Sequence, residues 1–412
     1  MNLIVKLGWR NIWRNKRRTI LTILAISFAT FLTVISRGIA NGTWEYNIKN
    51  TLELFSGYIQ IQRTGFKDSP SLHKSFTYPG SVESILQEDP SISGYAPRII
   101  SDGLLSFKEN SAGAAIFGID IQREQKISRF HERIKAGRMF HTDSLNEIVL
   151  GYKLLNNLKA NVGDTIVILA QGFDGVLGNQ LYKITGTVSF GTQDFDRVVV
   201  LMNLRGAQEL LAMEGRVNIV AVMLSDFHQI DEAQAIMSKN ITDAGLTNLS
   251  VLNWGEVIPE LQQAREFDLI GDYFFLGVLL IVITFGILNT VLMSVTERFR
   301  EFGITLAMGM QSKDLVKLVL MELTFIALIG ILAGSIFGYG VNFYLETHPI
   351  IMTGEFGQMY EDYGFIPQLV STSRLSYTVR VMIIILGLSI FSSIYPAYKV
   401  YKLEPLKGIR QT

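Results

Sequence analysis

Four stretches of the chain are long, apolar and free of formal charge: Thr19 to Ser36, Tyr273 to Thr296, Leu323 to Leu345 and Val381 to Tyr398. Each is close to the roughly 20 residues that a helix needs to cross a bilayer. Between the first and second, from Arg37 to Asp268, no stretch is apolar enough to span. That middle region instead mixes short β-like runs (Tyr58 to Gln62, Ile116 to Ile119, Thr165 to Leu169, Tyr182 to Phe190, Val198 to Met202, Ile219 to Leu224) with helical periodicity around Ser81 to Gln87 and Ile230 to Thr242. The pattern predicts a membrane protein of four transmembrane α-helices with a large α+β extracytoplasmic domain between helices 1 and 2.

Charge orients these elements. Residues 1–18 carry Lys6, Arg10, Arg14, Lys16, Arg17 and Arg18 without an acid. On a helical wheel Val5, Trp9, Ile12 and Trp13 share one face and Lys6, Arg10, Arg14 and Arg17 the next, the pattern of an interfacial amphipathic helix that meets membrane lipid. A signal-peptide n-region is the competing reading. The uncharged run that follows exceeds a cleavable h-region and lacks a convincing cleavage site. The segment after the second span carries Arg298, Arg300, Lys313 and Lys317, and the one after the fourth carries Lys399, Lys402, Lys407 and Arg410. The excess of Lys and Arg in short cytoplasmic loops places all three inside. The expected order is therefore a cytoplasmic amphipathic helix (1–18), helix 1 (19–40), the extracytoplasmic domain (41–255), a stalk with helix 2 (256–296), a cytoplasmic loop (297–313), helix 3 (314–345), a short external loop (346–378), helix 4 (379–398) and a cytoplasmic tail (399–412).

Several local features carry more than topology. Glu256 to Asp268 reads as a polar helical stalk running into helix 2. The stretch QGFDGVLGNQ, Gln171 to Gln180, lies between β-like runs, and its glycines with Asp174 and Asn179 favour a hairpin turn over a phosphate cradle; no GxxxxGK[ST] occurs. Phe173, Val176 and Leu177 would then sit at an exposed tip. Gly330, Gly334 and Gly338 recur every four residues on helix 3 and predict a close helix-packing face, with a substrate-lining groove as the alternative. Glu322, near the start of that helix, is an intramembrane acid with a structural or coupling role.

The short charged segment ERFREFGITLAMG is the most specific signal. Glu297, Arg298, Arg300, Glu301, Gly303, Ala307 and Gly309 reproduce an E-R-x-R-E-x-G-x-x-x-A-x-G pattern, which resembles the permease family typified by FtsX, the MacB-type exporters and the lipoprotein-releasing (LolC/LolE-type) transporters. The ending with Pro396, Ala397, Pro405 and Arg410 resembles the same family, and more loosely so do Gly57 to Gln62 and Gly151 to Ala170. The resemblance implies a MacB/LolC-like fold, a dimer with a second permease, identical or a sister chain, and a separate ABC ATPase that binds ATP and Mg and docks on the coupling segment. It also implies mechanotransmission, in which movement driven inside is passed to the domain outside. Among the subfamilies, four spans, one large domain and no fused ATPase look most like a lipoprotein-releasing permease of the inner membrane, whose hairpin near this position grips a periplasmic carrier. A MacB-like exporter permease with a separate ATPase and an FtsX-like regulator of cell-wall hydrolases are the alternatives.

Composition narrows the rest. The chain has 412 residues, 48% of them hydrophobic, with 37 basic against 37 acidic side chains. Balanced charge argues against nucleic acid as a partner. With no cysteine and five scattered histidines there is neither thiol chemistry nor a spacing that suggests a metal site. No GxSxG elbow appears. A non-catalytic membrane subunit without a cofactor of its own is expected.

Overall fold

The computed structural model describes residues 3–13, 16–191, 193–362 and 367–403. Arg14 and the tail beyond Leu403, with Pro405, Lys407 and Arg410, lie outside the described residues, as do the side chains of Val5 and Arg18. In chain order the helices that matter below are α1 (Leu3–Ile12), α2 (Lys16–Thr51), α3 (Ser81–Glu88), α4 (Ile230–Asp243), α5 (Pro259–Thr296), α6 (Phe299–Ala307), α7 (Ser312–Thr347) and α8 (Leu375–Tyr401). Two compact units result: Met1–Glu45 with Arg265–Met352 and Gln368–Thr412, and Tyr46–Ala264 with Thr353–Pro367.

In the first unit α2, α5, α7 and α8 are long and apolar enough to cross a membrane. Their shared core is built from Ile26 and Val34 of α2, Ile287 and Val291 of α5, Val319 and Ile326 of α7, and Ile385 and Val400 of α8. The outward faces stay apolar: Phe274 and Phe285 on α5, Phe337 on α7 and Phe391 on α8 are exposed. In hydrocarbon such residues meet lipid tails, so no polar outer face is required. A separate α1 lies along α7, with Ile12 buried, the Gly8 position within van der Waals reach of Met321, and the Trp9 ring edge-on to Phe325 at 5.8 Å. Trp9 and Trp13 keep about half their surface free. The segment from Glu256 breaks once, just before Pro259, and from there runs unbroken into the second span. Asn253 and Glu256 cap the short helix Trp254–Val257 reciprocally, the backbone breaks at Ile258 (φ −123°, ψ 74°), and Pro259 opens α5, where its missing N–H costs nothing.

Small residues set the closest approaches. A Cβ on Gly330 would stand 2.9 Å from the Ile26 Cβ, on Gly334 2.3 Å from the Ser27 carbonyl oxygen, and on Gly338 2.9 Å from the Val34 Cβ. The glycine stripe of α7 thus receives α2. Gly38 and Gly42 of α2 make a second stripe, on which Asn342 and the Ser371–Thr372 backbone rest. Asn342 is buried, donates to the Val34 carbonyl at 2.9 Å and accepts from the Ser371 hydroxyl at 3.0 Å. Gly334→Ala is expected to destabilise the full chain by about 1–3 kcal/mol, because the obstacle is backbone and cannot swing away. That outweighs the roughly 1 kcal/mol gained in helix propensity. Gly340→Ala on the same helix meets nothing within 4 Å and should raise the melting temperature. Equal shifts at the two positions in thermal unfolding would contradict the packing account.

The second unit is built on a ten-stranded sheet. Its strands are β1 (Ile59–Arg63), β2 (Ile92–Phe107), β3 (Asn110–Ile119), β4 (Ile134–Gly137), β5 (Glu147–Gly151), β6 (Thr165–Gln171), β7 (Leu177–Val188), β8 (Val199–Asn203), β9 (Ile219–Leu224) and β10 (Leu249–Asn253). They run in the order β10-β1-β9-β2-β3-β8-β5-β7-β4, with β6 pairing β2 and β7. Most pairs are antiparallel; β3–β8 and β5–β7 are parallel. Burial follows sequence. All six residues of β9 (IVAVML) are buried, whereas β6 (TIVILAQ) alternates and leaves one face to water. Val82 and Leu86 of α3, and Ile230, Ala233, Met237 and Ile241 of α4, are buried, as are Leu154, Leu155, Ala207 and Leu210 of two shorter helices. This is the α+β domain that several β-like runs followed by a helical one predict.

Candidate coupling site

The segment between α5 and α7 folds as one short amphipathic helix, α6. Phe302 and Gly303 are buried, and Phe302 joins the core shared by the spanning helices, alongside Leu315 and Val295. The opposite face is open: Glu297, Arg300, Glu301, Ile304, Ala307 and Met308 are all exposed, Met308 to 76%. Arg300, Ile304 and Met308 are spaced by four and so lie one above another on this face. Two apolar side chains left bare beside charges on a short helix suit a protein contact. The 300/304/308 spacing was the readable signal for Ile304 and Met308, which the motif itself does not include.

Both ends of α6 are fixed by residues of the motif. At the start, Arg298 donates through Nη1 to both carboxylate oxygens of Glu322, each at 2.8 Å, and through Nε to Glu301 at 3.2 Å. Its guanidinium also lies 5.1 Å from the centre of the Phe302 ring. Burial works to lower the Arg298 pKa, but Glu322, then Glu301, outweigh it and the net shift is upward. The arginine therefore stays charged. At the end, Gly309 has φ +101°; its N–H bonds the Leu306 carbonyl at 3.0 Å and the Met310 N–H bonds that of Thr305 at 3.3 Å. This is a Schellman cap, which calls for a residue at ease with positive φ. The motif residues thus divide by task. Gly303 is buried, Gly309 stops the helix, Arg298 ties it to α7, and Glu297, Arg300, Glu301 and Ala307 are exposed.

The hairpin of β6 and β7 turns at residues 172–176, where Asp174 accepts from the Val176 N–H at 3.0 Å and Gly175 takes φ +82°. Val176 and Leu177 stand out, 64% and 62% exposed, with Leu181 alongside at 61%. Phe173 does not share the tip. Its N–H bonds the Leu211 carbonyl at 2.7 Å, Arg216 lies 4.9 Å from its ring centre, and His73 is at 5.0 Å. The ring is thus held against the body of the domain. Among the described residues no cluster of His, Cys, Asp or Glu could hold a metal ion.

Residues 273–405 match the FtsX-like permease C-terminal family, and residues 19–239, more than half of the chain, match the MacB-like periplasmic core domain. The chain belongs to the FtsX/MacB-like permease family. It is a multi-pass membrane permease of the ABC transporter type. The lipoprotein-releasing system transmembrane protein LolC of Xylella fastidiosa is 24% identical over 99% of this chain and 98% of its own length, and the protein of that name from Neisseria meningitidis serogroup B is 22% identical over 93% and 95%. The macrolide export ATP-binding/permease protein MacB of Acinetobacter baylyi is 23% identical over 88% of this chain, which spans 54% of that relative's length. The FtsX-like match includes the whole of α6 and its tie to α7.

Proposed function

We propose that this permease extracts lipoproteins from the inner membrane by mechanotransmission and passes them to a periplasmic carrier. The observation that carries the reading is that the LolC relatives run alongside this chain over almost their entire length. On this reading α6 is docked by an ABC ATPase subunit that binds ATP and Mg, two permeases form the membrane dimer, and both termini face the cytoplasm. Movement of α6 is handed to α7 through the Arg298–Glu322 pair. α2 and α5 each carry the chain from one compact unit into the other, so they are the elements available to relay that movement outward.

The exposed apolar hairpin tip supports carrier docking. Val176→Asp with Leu177→Asp is expected to weaken carrier capture about ten-fold or more, as loss of a small apolar hot spot does, while ATPase assembly is kept. Equal loss of both in a pull-down would point to a damaged domain instead. The wider test is mass spectrometry of the complex purified gently from native membranes. An ATPase with acylated protein is the expected content. An ATPase with a periplasmic adaptor or a cell-wall hydrolase, and no acylated protein, would replace lipoprotein release with export or regulation.

A further inference from the structure

A cavity of about 310 Å³ lies among α2, α5 and α8 within the membrane unit. Each helix contributes one stripe at helical spacing: Thr33, Arg37 and Asn41 from α2; Arg265, Leu269, Tyr273, Leu276 and Leu280 from α5; Tyr377, Arg380, Val381 and Ile384 from α8. The stripes are graded. The ends of α2 and α5 that lead into the folded domain bring arginines, asparagine and tyrosine, and the deeper turns bring only aliphatic groups beside Thr33.

The charges at the mouth do not balance. Arg37 is engaged by Asp272 and lies 5.5 Å from the Tyr273 ring centre, and Asp268 accepts from the Trp44 indole. Among the described residues Arg265, half-buried, and Arg380 have no carboxylate within ion-pair distance. The half-buried Arg265 beside an apolar wall is costly to hold without an anion, and Arg380 stands exposed at the same rim. Their planar forks match a phosphate group with paired hydrogen bonds. From Arg265 to Leu280 the α5 stripe runs about 22 Å at 1.5 Å per residue, enough for a headgroup plus the roughly 15 Å of hydrocarbon in one leaflet. A free phosphate would leave the aliphatic floor unfilled.

We propose that this cavity is a binding site for an anionic phospholipid, with Arg265 and Arg380 holding the phosphate and the Leu276–Leu280 end taking an acyl chain. The site is distinct from the carrier-docking hairpin tip proposed above. It would make the membrane's own anionic lipid a ligand of the permease and a wedge between α5 and α8.

The test is native mass spectrometry of the full chain released from bilayers of equal phosphatidylcholine and phosphatidylglycerol. The wild type is expected to retain phosphatidylglycerol over phosphatidylcholine by about ten-fold or more, given two arginines at the headgroup level. Arg265→Gln with Arg380→Gln should abolish that preference, whereas Arg374→Gln, an exposed arginine outside the cavity, should keep it. Leu276→Trp should reduce retention with the charges intact. The melting temperature of each variant reports folding separately. Equal retention of the two lipids by the wild type, an unchanged preference in the folded double variant, full competition by inorganic phosphate, or acylated protein in place of phospholipid would each overturn the assignment.

Discussion

Arg298→Ala is expected to uncouple the permease. The side chain is only 17% exposed and its Glu322 partner 11%, so alanine leaves a carboxylate largely out of water with nothing to neutralise it. Breaking a fully buried pair costs about 3–5 kcal/mol; the residual exposure here reduces this to about 2 kcal/mol. Glu322→Gln should cost less, because a neutral amide is cheaper to bury than a charge and can still accept from Arg298. The double variant Arg298→Ala with Glu322→Gln should recover most of the lost melting temperature. Transport-linked ATP turnover should nevertheless stay at least about ten-fold down in the double variant, since the mechanical tie between α6 and α7 is missing even when the stray charge is gone. Recovery of activity together with stability would mean that the pair only balances charge. No effect of Arg298→Ala on either quantity would remove it from the mechanism altogether.

The membrane elements were legible because hydrocarbon imposes a crude rule. A run without charge is either a span or an anomaly, and Tyr273 to Thr296 or Val381 to Tyr398 satisfied it directly. The helix ends were less so: α2 continues to Thr51 and α8 to Tyr401, since polar residues sustain backbone hydrogen bonds as well as apolar ones. The stalk helix begins at Pro259 rather than Glu256, since a reciprocal cap at Asn253 and Glu256 looks, in sequence, like helical polar residues. Tertiary partners were the least legible. Glu322 lies 24 residues from Arg298, and Phe173 finds Arg216 across the domain. Neither pairing follows from periodicity, and the second turns the ring of a residue expected at the exposed tip back against the body of the domain. Gly38 and Gly42 were equally illegible, because what they approach, Asn342 and the Ser371–Thr372 backbone, comes more than 300 residues later.

The other large effect is expected at Arg98, in β2 of the extracytoplasmic domain. It is 1% exposed and its partner Glu124 3%. Nε donates to the carboxylate at 3.1 Å, Nη2 donates to its other oxygen, and Nη1 donates to the Phe55 carbonyl, with the Phe55 and Phe130 ring centres 5.5 and 5.8 Å away. Phe55 belongs to the π-helical turn Leu52–Ser56 that follows α2 directly. The arginine therefore binds the end of the first long helix to the domain's sheet. Arg98→Met keeps the volume but strands a buried carboxylate and a backbone carbonyl, at a cost of about 3–5 kcal/mol; thermal unfolding of the full chain should show it as a drop of many degrees. Glu124→Leu should do the same from the other side. Arg98→Met with Glu124→Leu should recover most of that loss, because two apolar groups of that size can replace a buried pair without leaving a charge behind, and should fall short of the wild type only by the unpaired Phe55 carbonyl. The double variant then separates two roles. If transport survives in it, the pair is a packing solution that hydrocarbon can equal. If transport fails although stability has recovered, the bond from Arg98 to the Phe55 carbonyl is what keeps the end of α2 in step with the sheet. A single Arg98→Met variant as stable as the wild type would refute both.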